Sequence, residues 1–132
     1  MYSTGSVVVL QAPERLDRRG AAAFLQLFKP LLEGGRPRFV LDCSEIQHMD
    51  SAGVETLLRC MEEAMKRDGD VKLAAVAASS AVILELMKVD RFFEVFDTPE
   101  EAVRSFHQLP AYAIPADLSW MDRPREEFEA AS

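Results

Sequence analysis

Cysteine is scarce in this 132-residue chain: Cys43 and Cys60 are the two present, too few for a disulfide framework and without a C-x-x-C spacing. They read as buried thiols in a reducing compartment. Basic residues are in deficit, 15 against 22 acids, and the resulting formal charge of −7 repels phosphate backbones and anionic lipid. Neither nucleic acid nor a membrane surface is an expected direct partner. Among six glycines there is neither a G-x-G-x-x-G nor a G-x-x-x-x-G-K-[ST] loop, which removes the dinucleotide and Walker-type phosphate sites. No apolar run approaches the roughly 18 residues that span a bilayer. The opening Met1-Tyr-Ser-Thr-Gly-Ser6 lacks the basic region of a secretory signal, so a cytoplasmic location is the default expectation. Two histidines and two cysteines so dispersed give no metal-ligand spacing, and no metal or other cofactor is expected.

What is present is ordinary globular material: 48% apolar and 28% charged residues can bury a core and are too apolar for a disordered chain. The length fits one domain. Short apolar runs alternate with longer amphipathic ones. Val7-Val-Val-Leu10 is a compact β-branched run stopped at Ala12-Pro13, as proline stops a strand. Asp17 can cap a helix carrying Phe24, Leu27, Phe28 and Leu31 at helical spacing, bent by Pro30 and ended by Gly34-Gly35. Phe39-Val-Leu41 reads as a buried strand delivering Asp42 to its carboxyl end.

The best-patterned helix starts near Ser51, with Val54, Leu57, Leu58, Met61, Ala64 and Met65 on one stripe and Glu55, Arg59, Glu62, Glu63 and Lys66 on the other. Glu55 with Arg59 and Glu62 with Lys66 are spaced for ion pairs worth about 0.2 to 0.5 kcal/mol each. Asp68-Gly69-Asp70 stops the helix; Val71 to Val76 is the next strand, and Ser79 or Ser80 is the expected cap of a third helix through Ile83, Leu86 and Met87. Phe93 to Phe96 reads as a short strand. Thr98-Pro99-Glu100-Glu101 has the capping-box pattern that opens a last helix to about Phe106.

Strands separated by helices run parallel, so the expected fold is α/β: a single domain, residues 1–107, with a mostly parallel central sheet of about four to five strands and about four helices. Residues 108–132 change character, with three prolines among Tyr112, Trp120 and Phe128. That extension is expected to fold back on the domain or onto a second subunit, which would make a homodimer.

Open α/β sheets bind at the carboxyl ends of parallel strands, here the loops at Pro13 to Arg18, Asp42 to Ser51 and Ala77 to Ser80. Asp50-Ser51-Ala52-Gly53 puts a serine at a helix start. One reading is a capping serine worth about 1 kcal/mol, with Gly53 allowing close packing. The other is a phosphorylation switch, because a helix N-terminus accepts the nearly two negative charges of a phosphoryl group. Asp50 and Glu55 would then add to a concentrated negative patch.

The run of strand, Leu41-Asp42, polar loop, Met49, Asp50-Ser51-Ala52-Gly53-Val54 and a Leu-Leu helix resembles the signature of STAS domains, in particular the bacterial anti-sigma factor antagonists. Arg15-Leu16-Asp17, Arg67-Asp68-Gly69 and Thr98 to Ala102 extend the resemblance from about Val7 to Phe106. It implies a noncatalytic domain that binds an anti-sigma factor while its serine is unmodified, and so frees a sigma factor for transcription. A serine kinase activity in the anti-sigma factor ends the binding by phosphorylating that serine, and a phosphatase is a further implied partner. By the resemblance Ser51 is the phosphoacceptor, Asp50 and Asp42 are the loop acids, and Asp17 is the acid after the first strand. With Ala52, Gly53 and Glu55 of the first helical turn they form the implied contact surface. Three departures stand out: Glu14 where glycine is frequent, Ala52 where a second serine is common, and a short or missing amino-terminal strand.

An enzyme is not expected, since no histidine is placed by sequence to activate Ser51, and His48 beside Met49 reads as a loop residue. A receiver domain could use Asp42 as acceptor but would carry paired acids where Ala12-Pro13-Glu14 stand. The alternative within the same fold is a STAS subunit of a lipid-trafficking or anion-transport complex, docked on another protein without kinase control.

Overall fold

The computed structural model describes residues 2–4, 6–33 and 35–107; the extension 108–132 and its expected packing lie outside the described residues. Five strands form the main sheet, in the order β1 (Tyr2–Thr4), β2 (Val7–Gln11), β4 (Arg38–Asp42), β6 (Asp70–Ala74), β7 (Val95–Phe96). β1 is antiparallel to β2, and the other four run parallel. Two further strands of two residues each, β3 (Arg15–Leu16) and β5 (His48–Met49), pair parallel to one another beside the sheet. The helices are α1 (Ala21–Phe28), α2 (Ser51–Met65), α3 (Ala78–Leu86) and α4 (Pro99–Phe106). This is the expected α/β architecture, with the short amino-terminal strand present as an antiparallel edge.

Strands buried on both faces read as continuous apolar runs, and that is why β2 and β4 were legible; β6 shows such a run broken at Lys72. Their side chains alternate between two cores. Leu10, Phe39, Leu41, Val71 and Leu73 face α1 and α2 in the larger one, where the Phe28 and Phe39 ring centroids lie 4.5 Å apart. Val7, Val9, Val40 and Ala74 face α4, meeting Ala102 and Val103 in the smaller. Truncating a fully buried member such as Leu57 or Leu73 to alanine would cost about 2 to 5 kcal/mol.

Several local expectations are corrected. The first helix opens at Ala21 rather than at Asp17, whose carboxylate instead closes the preceding turn. Pro30 ends rather than bends it: α1 stops at Phe28 and Lys29–Leu32 continue as a 3-10 turn. On α2, Lys66 and Arg67 both turn to Glu63, at 3.4 and 3.0 Å, and Met65 is exposed. The Glu55–Arg59 and Glu62–Lys66 pairs are not formed among the described residues. Asp68, with φ of 61°, takes the left-handed position after α2, while the Gly69 amide returns to the Ala64 carbonyl at 2.8 Å. Gly69 itself is needed because a Cβ there would overlap the Pro37 carbonyl.

Lys72 is buried on the α4 face of β6. Its ammonium donates to Ser105 Oγ at 2.6 Å, pairs with Glu94 at 3.1 Å and sits 4.2 Å from the Phe106 ring centroid. Burying a cation is costly unless it is paired and hydrogen-bonded; here three neighbours supply that, and together they fasten α4 to the sheet.

Candidate functional site

The β2, β4 and β6 strands end together, so the three loops that follow them share one end of the sheet. From β2 the chain turns into β3, and from β4 it runs through Cys43 to Gln47 into β5. The Gln47 and His48 amides both donate to the Glu14 carbonyl, at 2.8 and 3.1 Å, which ties the two loops and places β5 beside β3.

Asp50 is extended, with φ of −135° and ψ of −171°, and is the N-cap of α2: its Oδ1 accepts from the Gly53 amide at 3.1 Å. Its Oδ2 accepts from the Arg18 amide at 3.2 Å, so one carboxylate joins α2 to the loop carrying Asp17. The capping role open to Ser51 therefore belongs to Asp50. Ser51 is the first helical residue and is exposed; its hydroxyl has no hydrogen-bond partner among the described residues. Gly53 is buried directly behind it, where a Cβ would overlap the Leu16 backbone carbonyl. Absence of a side chain is what lets α2 press on β3.

Asp17 is 8% exposed. Its Oδ1 accepts from the Arg19 and Gly20 amides at 2.9 and 3.2 Å, and its Oδ2 pairs with Arg15 at 3.1 Å. Burial raises its pKa, but those amides and the Arg15 guanidinium outweigh it and hold the carboxyl below the ordinary aspartate value. Asp42 closes a tight turn of its own, its Oδ1 accepting from the Ser44 amide at 3.0 Å.

Two depressions flank the ridge bearing Ser51. One, about 320 Å³, is lined by Asp17, Gln47, His48 and Asp50 together with Ser79 and Ser80 of α3. The other, about 280 Å³, lies between α1 and α2 and is lined by Arg18, Ala52, Glu55 and Arg59 over Ala22 and Leu25. Of the residues singled out from sequence, Asp17 and Asp50 thus meet in one cleft, and Ala52 and Glu55 in the other. Asp42 lines neither, and Gly53 works from behind. Arg18 and Ser80 fall in two of the loops expected at the binding end but were not singled out as site residues, and Arg59, read only as an ion-pair partner of Glu55, joins the site through tertiary packing of α1 on α2.

The sequence pattern of the STAS domain matches residues 1–102. The chain belongs to the STAS domain family. In fold this STAS domain resembles an anti-sigma factor antagonist from Mycobacterium paratuberculosis, with a TM-score of 0.72 at 20% identity over 81% of this chain and 91% of that one. An anti-sigma-factor antagonist (STAS) domain protein from Planctomyces limnophilus gives a TM-score of 0.69 at 18% identity, covering 76% and 90% of the two chains. The STAS domain of a SulP transporter from Vibrio cholerae gives 0.64 at 16% identity, covering 80% and 84%. Both kinds of STAS protein therefore share this architecture.

Other chemistry at this end of the sheet is limited. Burial pushes the thiols of Cys43 and Cys60 up to about 12, far from the thiolate a nucleophile or metal ligand needs. Among the described residues no three His, Cys, Asp or Glu side chains are grouped to hold a metal ion, and no helix is long and apolar enough to cross a membrane.

Proposed function

We propose that this STAS domain is an anti-sigma factor antagonist: a noncatalytic cytoplasmic interaction domain that binds an anti-sigma factor with serine kinase activity and releases it when Ser51 is phosphorylated, until a phosphatase resets it. The observation that carries this reading is the division of labour at the start of α2. Asp50 caps the helix, so the Ser51 hydroxyl is left exposed without a structural task. A phosphoryl group there gains from the helix dipole and the first-turn amides, so the fold tolerates it. The surface changes nonetheless, because nearly two negative charges arrive next to Asp50 and Glu55. A bulkier and more negative surface then faces a partner that docks over Asp17, Asp50 and the first turn of α2, and its contacts are altered without a change of shape. Asp42, closing its own turn, stands at the edge of this surface.

The test is affinity capture from the native host's lysate with wild-type chain and Ser51→Asp in parallel, followed by mass spectrometry of the bound proteins and of Ser51 itself. The expected result is an ATP-binding kinase-like protein held by the wild type and weakened at least about tenfold, 1.4 kcal/mol, in Ser51→Asp. Retention of membrane-transport subunits by both forms would overturn the reading and assign the domain to a transport assembly.

A further inference from the structure

The cleft shared by Asp17, Asp50 and the start of α3 has two unlike walls. On the α3 side the expected serine cap is absent: the N-cap position is Ala77, in an extended conformation with no side-chain hydrogen bond. The first amide of α3 to find a carbonyl is that of Ala81, which bonds Ala77 at 2.9 Å. Among the described residues, the amides of Ala78, Ser79 and Ser80 have no acceptor. Ser80 lines the cleft at 4% exposure, and its hydroxyl too has no partner among the described residues. Ala78 and Ser79 are exposed and water can serve their amides, but Ser80 is buried, and buried polar groups are paired in the great majority of proteins; its amide and hydroxyl are donors open to an acceptor from the cleft. The rest of the lining carries, beside Gln47 and His48, the Asp17 and Asp50 carboxylates. Their oxygens already receive the Arg19, Gly20, Gly53 and Arg18 amides and the Arg15 guanidinium, but a carboxylate has about four lone-pair sites and retains capacity to accept.

A free carboxylate would satisfy the α3 wall and be repelled by the two acids. An ammonium would satisfy the acids and leave the α3 amides bare. A group that both accepts and donates suits the two sides, and a primary carboxamide does so from separate atoms, its carbonyl accepting and its NH₂ donating twice. We propose that this cleft is a binding site for a primary carboxamide, presented as a glutamine or asparagine side chain by a protein partner. The site stands on the geometry of the cleft and is independent of any phosphorylation of Ser51.

Amide-resolved NMR on the full chain tests it, with acetamide, sodium acetate and methylammonium chloride as probes at matched ionic strength. Acetamide is expected to shift the Ser79 and Ser80 amides saturably, with a dissociation constant at or below about 100 mM, and the two ions are expected to bind more weakly. Ala77→Ser supplies α3 with its own cap and is expected to weaken acetamide at least about fivefold by occupying the same amides. Ser80→Ala should weaken it about threefold or more by removing the buried donor. Linear shifts without saturation, equal or tighter binding of acetate or methylammonium, or undiminished acetamide binding by Ala77→Ser would each overturn the proposal. None of these readouts involves an anti-sigma factor, so this idea and the phosphorylation switch fail separately.

Discussion

The two helices that open at the binding end of the sheet start in opposite ways. α2 begins with an aspartate in the N-cap position, its carboxylate shared between the Gly53 and Arg18 amides, and with a serine left over on the surface. α3 begins with Ala77, which cannot cap, and has one serine exposed and one buried behind it. A capped start is finished as structure, so whatever is added to it changes only the surface. An uncapped start keeps its first donors free for what comes to it. The first arrangement suits a covalent switch and the second a binding site.

The comparison breaks most severely where α2 leans on β3. Gly53→Ala forces a methyl group into the Leu16 backbone carbonyl, and backbone yields less readily than a side chain. A loss exceeding about 2 kcal/mol is expected in chemical denaturation, at the upper range of overpacking costs. Because β3 must move, Asp17 moves with it, and the cleft should be lost together with stability. Less severe is Asp50→Ala, which removes the α2 cap and releases the Arg18 amide, for an expected loss of about 1 to 2 kcal/mol. A loss near zero would show that α2 needs its cap no more than α3 does, and the contrast between the two starts would disappear.

How much of this was readable beforehand follows from which forces are local. The apolar runs at Val7 to Leu10 and Phe39 to Leu41, the stripe of α2 and the Thr98-Pro99 helix start are consecutive or periodic signals, and the structure reproduces them, with Met65 at the end of the stripe as the exception. In α4 the Thr98 hydroxyl does accept from the Glu101 amide, at 3.2 Å. Asp50 and Ser51 could not be ranked as caps because both residue types cap well; the extended backbone at Asp50, set by pairing of β5 with β3, decides it. Those two strands of two residues each are too short to show a period. Nor could Ala77 be foreseen as the start of α3. The chain leaves β6 through Ala75 in a left-handed conformation, φ of 57°, and the helix begins earlier than its serines suggest. Lys72 reads as a break in an apolar strand until α4 is seen to supply Ser105 and Phe106 around its ammonium.

A gain, not a loss, sharpens the comparison from the α3 side. Ala77 is exposed and already extended, with φ of −69° and ψ of 156°, the backbone a cap residue needs. Ala77→Ser therefore costs no rearrangement and is expected to raise stability by about 0.5 to 1 kcal/mol in denaturant titration. No gain would mean that the α3 amides are already satisfied, and the cleft would then have no donor wall to offer.

The smallest expected effect discriminates most finely. Ser51 and Asp50 are adjacent, both are exposed and both can cap a helix, so a reading in which they share the task predicts comparable losses from either alanine variant. The geometry instead gives the whole task to Asp50, and alanine is the better helix former. Ser51→Ala is accordingly expected to stay within about 0.5 kcal/mol of the wild type, measured beside Asp50→Ala in the same denaturant series. A loss approaching 1 kcal/mol would mean that the Ser51 hydroxyl holds the helix start in solution. Phosphorylation would then remove a structural bond as well as add charge, and the modified domain should lose stability. A neutral result leaves Ser51 as a hydroxyl that the fold does not use, on the ridge between two depressions, where adding charge alters what the domain can bind while leaving the fold in place.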